Sequence, residues 1–126
     1  MEVELAVKPP AKLCVPPPRR FPVAEVPNHQ LFDLLSMETV LKLFRLLLCE
    51  EKVLMYSAKY WLVPEAVLSM ATLLYPFSYL YPLIPLLPSS LPDAENLLLV
   101  PTPYFIGVHS SFCSKLEDYH LSLIHI

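Results

Sequence analysis

The chain has 126 residues, 55% of them hydrophobic and 17% charged, with a net charge of -3. A charged share below the roughly 25% of an average soluble domain, with a mean hydropathy of +0.48, leaves more apolar surface than one small domain hides, and such surplus marks an interface or a bilayer. The acidic balance offers no basic face to a phosphate backbone, so nucleic acid is excluded as a partner, and a single glycine excludes a glycine-rich nucleotide loop.

In chain order, Met1–Leu5 carries acidic residues where a secretory leader needs basic ones. Val3, Leu5 and Val7 alternate with Glu4 and Ala6, which suits a short strand. Pro9-Pro10, Pro16-Pro17-Pro18-Arg19-Arg20, Pro22 and Pro27 make residues 1–30 a stiff, polyproline-like connector. A ligand for an aromatic-lined groove is the alternative reading of that stretch.

Ser36 is placed to cap a helix, with Glu38 in the first turn favouring its dipole. Met37, Val40, Leu41, Phe44, Leu47 and Leu48 supply its apolar stripe, with Lys42 and Arg45 on the other side. Val53–Ser57 has the length and composition of a strand. A second helix is expected from Pro64, a favoured first helical residue, to Pro76, with Val67, Leu68, Ala71, Leu74 and Tyr75 inward. Leu83–Leu87 reads as a short buried strand at an edge or a bulge, because Pro85 cannot donate to a ladder. Residues 92–98 read as a short helix, and Tyr104–Val108 as a third strand. Helices alternating with nearly continuous apolar strands predict an α/β fold, a doubly wound, three-layer arrangement with a parallel or mixed sheet covered on both faces.

Ala66–Pro92 holds no charged side chain and is long enough to cross a bilayer. Pro76, Pro82, Pro85, Pro88 and Pro92 interrupt it, and each costs a helix interior about 3 kcal/mol. No transmembrane span is therefore expected.

Chemistry is sparse. Cys14, Cys49 and Cys113 are scattered and read as reduced thiols, and the four histidines form no metal-ligand spacing, so neither a metal nor a cofactor is expected. His109 and Cys113 lie four apart, but no third group is evident to orient the pair. Glu50-Glu51 reads as a solvated helix end rather than a catalytic dyad. Tyr75, Phe77, Tyr79 and Tyr81 alternate with Pro76, Ser78, Leu80 and Pro82. They suit either an interface, where tyrosine is enriched, or a cemented junction.

Four elements in order resemble the central domain of the DENN family. They are Leu46–Ser57, Leu73-Leu74-Tyr75-Pro76-Phe77, Pro82–Pro88, and Pro101–Val108 followed by Ser110-Ser111-Phe112. Tyr81–Pro88 and Ala94–Pro103 look most like a branch of Rab exchange factors of secretory vesicles. The resemblance implies that residues 31–117 are the first portion of a central DENN domain, with 1–30 the connector from the upstream part. Residues 118–126 match nothing in the pattern and are set apart as a tail, resembling adapter read-through more than native protein.

What the resemblance implies is a guanine-nucleotide exchange factor for a Rab-family small GTPase, acting by binding and not by bond-making. It would work in the cytoplasm, with recruitment to vesicle or plasma membranes. Kinase or death-domain signalling proteins are further expected partners, through other parts of the parent. Lys42, Arg45, Tyr79 and Tyr81 are the expected contacts. The rival readings are a non-catalytic interaction scaffold and a proline-rich membrane-associated protein.

Overall fold

The computed structural model describes residues 2–5, 11–14, 29–115 and 122–126. Two short strands, β1 (Glu2–Leu5) and β2 (Ala11–Cys14), pair antiparallel. β2 lies inside the stretch read as a connector, whose remaining prolines fall outside the described residues.

From Met37 to His109 the expected alternation holds, and a helix before it and a 3₁₀ helix and a strand after it were not expected. Helices α1 (His29–Leu34) and α2 (Met37–Leu48) lead into strand β3 (Lys52–Ser57). Then come α3 (Leu62–Leu73), β4 (Leu83–Ile84), α4 (Ala94–Leu99), β5 (Tyr104–His109), a 3₁₀ helix over Ser110–Lys115, and β6 (Ser122–His125). β6 belongs to the segment set apart as an unmatched tail.

The four later strands form one all-parallel sheet in the order β4-β5-β3-β6. Val53 is opposite Phe105 and Ser122, and Ile84 is opposite Ile106. A parallel sheet needs cover on both faces, which explains why β3 and β5 are apolar at almost every position. Val53, Met55 and Phe105 face α1, α2 and α3, packing with Leu43, Val67 and Met70. Leu54, Tyr104, Ile106 and Val108 face the opposite way, against Leu87, Leu98 of α4 and Phe112. The doubly covered α/β arrangement thus holds, with three helices on one face and a single short one plus the 3₁₀ turn on the other.

Several local expectations shift. Ser36 does cap α2, accepting the Thr39 backbone N–H at 3.3 Å. The buried stripe, however, is Val40, Leu43 and Leu47, while Met37 and Leu41 are 59% and 62% exposed. The apolar arc of α2 is wider than its contact, so the sheet and α1 determine which part is inside. In α3 the buried set is Val63, Ala66, Val67, Ser69 and Met70, with Leu68 exposed, and Tyr75 lies past the end of the helix and is exposed too.

Pro64 sits in the first turn of α3 but not at its first residue, a position where its missing N–H still has no partner to lose. The helix ends at Leu73, ahead of Pro76. β4 is only two residues long, because Pro85 follows it at once; the expected edge position holds.

The apolar run Ala66–Pro92 is divided among α3, a loop and β4. No helix among the described residues is long and apolar enough to cross a membrane.

Candidate functional site

The C-terminus of α2 closes with a left-handed turn. The Glu51 N–H donates to the Leu46 carbonyl at 3.1 Å, and the Glu50 N–H to that of Leu47 at 3.3 Å. This is the Schellman arrangement, which wants a left-handed residue, ordinarily glycine, just past the cap. Here it is Glu50, at φ 57. A side chain in that region costs about 1 kcal/mol, so an acidic residue is held where glycine would be easier.

The Glu50 carboxylate is engaged from far along the chain. Tyr81 Oη donates to Glu50 Oε2 at 2.7 Å, across 31 residues. Tyr79 meets Tyr81 edge-to-face, with ring centroids 5.8 Å apart. The loop after α3 is thereby tied to the end of α2.

Between the two lies a cleft of about 200 Å³. Leu47, Leu48 and Leu74 form its apolar side, and Phe77 and Leu80 its rim, at 61% and 85% exposure. Glu50, Ser78, Tyr79 and Tyr81 contribute the polar groups.

The electrostatics are negative. Burial pushes the Tyr79 hydroxyl up to about 12, reinforced by Tyr81 and Glu50. The Tyr81 hydroxyl is raised by its bond to the Glu50 carboxylate and secondarily by desolvation. The Tyr79 oxygen is buried and has no hydrogen-bond partner among the described residues.

Of the residues expected to contact a partner, the structure brings Tyr79 and Tyr81 together. It places Lys42 and Arg45 outside the cleft lining, both exposed on α2. Sequence reasoning missed Glu50, reading it as a solvated helix end. No local pattern could have found it, because its partner lies in another element.

Elsewhere the chemistry is quiet. His109 Nδ1 is 2.9 Å from Ser111 Oγ and accepts the Ser111 N–H at 3.2 Å, while burial pushes the Cys113 thiol up. A protonated thiol and an occupied imidazole nitrogen do not make a nucleophile and base. Among the described residues no group of three histidine, cysteine or acidic side chains is placed to hold a metal.

The family model described as DENN (AEX-3) domain matches residues 1–126. The chain is 40% identical over 124 residues to the MAP kinase-activating death domain protein of Drosophila melanogaster, covering 96% of this chain and 6% of that protein. It is 41% identical over 101 residues to the protein of that name from Caenorhabditis elegans, covering 80% of the chain and 7% of the relative. With the Mus musculus protein the identity is 40% over 107 residues, 85% of the chain and 7% of the relative. The chain therefore spans only 6–7% of the length of these curated relatives.

Proposed function

The chain belongs to the DENN domain family, and from that premise we propose that it is part of a guanine-nucleotide exchange module for a Rab-family GTPase. The family match over every residue of the chain carries this reading. Exchange factors regulate other enzymes and need no covalent catalyst of their own. Their work is differential binding: a surface that prefers the nucleotide-free GTPase weakens GDP by the same factor by which GDP weakens the exchanger.

Residues 31–117 are the first portion of the central domain in this reading, and 1–30 the connector to the upstream part. The partner face runs along the outer side of α2 to the cleft at its end. What supports it is exposed apolar surface, Met37 and Leu41 on the helix that carries Lys42 and Arg45, and Phe77 and Leu80 at the rim of the cleft. Lys42 and Arg45 make no ion pair among the described residues, which leaves them available to steer an acidic partner. The protein acts in the cytoplasm and on vesicle or plasma membranes, where its GTPase resides.

The test is release of a fluorescent GDP analogue from a panel of Rab-family GTPases by the intact parent protein. Acceleration for one member is expected, with Lys42→Ala and Arg45→Ala slowing it more at low salt than at high. Release at the intrinsic rate from every member overturns the reading. A second reading, an interaction scaffold in kinase or death-receptor signalling, takes its support from the names of the relatives. Wild-type signalling by a parent with no exchange activity would favour it.

A further inference from the structure

We infer that the cleft between the end of α2 and the loop carrying Tyr79 and Tyr81 is a docking pocket for an arginine side chain of the partner protein. This rests on the proposed binding role and adds the chemistry of one contact.

Three features of the cleft point to a planar cation. The first is an unneutralised carboxylate. Glu50 accepts one hydrogen bond, from Tyr81, and makes no ion pair among the described residues. Its sequence neighbour Lys52 is occupied elsewhere, with Nζ over the Tyr104 ring at 5.9 Å from the centroid. The Glu50 carboxylate also sits at the C-terminal end of twelve-residue α2, where the helix dipole adds negative potential. A carboxylate has more acceptor sites than the single tyrosine fills.

The second feature is aromatic surface. Phe77, Tyr79 and Tyr81 line one cleft with that carboxylate. A ring face attracts a cation within about 6 Å, and guanidinium, being flat and weakly hydrated, stacks better than ammonium. The third is the floor. Leu47, Leu48 and Leu74 offer apolar contact to a methylene stem, which is how long basic side chains bury their carbons while the head stays polar.

The same arrangement accounts for Glu50 at a position that favours glycine. A glycine would complete the turn with less strain and leave the cleft without its charge.

The test uses the intact parent and the tripeptide acetyl-Gly-Arg-Gly-amide, read by saturation-transfer-difference NMR. Peptides with citrulline, which keeps the shape and loses the charge, and with lysine serve as comparisons. Saturation on the arginine side-chain protons is expected, falling about fivefold or more with citrulline or in the Glu50→Gln parent, and to a lesser extent with lysine. Phe77→Ala, which removes an exposed wall and leaves the turn intact, should also lower it.

Equal signals from the three peptides, or wild-type signals from both variants, overturn the inference. Nucleotide release by the same parent is scored separately. Loss of exchange on every GTPase removes the proposed function, and the tripeptide result still decides the pocket.

Discussion

Replacing Gly107 by alanine inserts a methyl group where two other elements already touch the β5 backbone. A Cβ built there meets the Pro85 carbonyl oxygen inside any tolerable contact, and Val63 Cγ1 of α3 at 2.5 Å. Val63 is a side chain and can adjust. Pro85 is backbone, and its segment is fastened to the same glycine, because the Leu87 N–H donates to the Gly107 carbonyl at 2.7 Å. Moving Pro85 away therefore strains that hydrogen bond as well.

Overpacking of this kind costs about 1–3 kcal/mol, and the weakened hydrogen bond adds about 1 kcal/mol. The lower chain entropy of alanine in the unfolded state returns about 0.4–1 kcal/mol. The net loss is about 1–3.5 kcal/mol, which raises the open population about 5- to 400-fold.

Amide hydrogen exchange of β5 peptides in the intact parent reads this directly, since core strands exchange through the larger openings. Exchange within about threefold of wild type would refute the packing argument. A Val63→Ala cycle locates the clash. The double variant should recover only part of the loss, because the Pro85 contact remains; complete recovery would assign the whole cost to Val63.

Ser36→Ala removes the cap on Thr39 and should cost about 1 kcal/mol, seen as faster exchange confined to the first turn of α2. Ser69 is 1% exposed in α3, and its hydroxyl has no hydrogen-bond partner among the described residues. Ser69→Ala should therefore be neutral or stabilising by up to about 1 kcal/mol in a urea titration, and a clear loss would reveal an undetected partner. Burial pushes the hydroxyls of both Tyr79 and Tyr104 up to about 12, against about 10 in the unfolded chain. Their neutral forms favour the fold, so this stability is complete below pH 10 and is lost as pH rises through 12. Melting temperatures across that range, with tyrosinate absorbance alongside, should fall less steeply in Tyr79→Phe and Tyr104→Phe.

Much of the architecture was written locally. Apolar runs at Val53–Ser57 and Tyr104–Val108 mark strands buried on both faces, and the Ser36 cap with its stripe marks α2. Pro85 confines its strand to an edge. These signals depend on backbone chemistry and side-chain period, which act within a few residues. The inward arc of α2 was not legible in the same way. Met37, Leu41 and Leu43 are equally apolar, and only the packed sheet and α1 decide that Leu43 is covered while the others face water.

Local sequence was enough for the kinds of element and their order between Met37 and His109, and for the family to which they belong; β2, α1 and β6 were not legible in it. Tertiary structure alone decided that β3 lies between β5 and β6 and that Glu50 meets Tyr81 at 2.7 Å. Pairings across tens of residues come from the closing of the whole sheet, and no period or spacing in the chain encodes which distant carboxylate a tyrosine will reach.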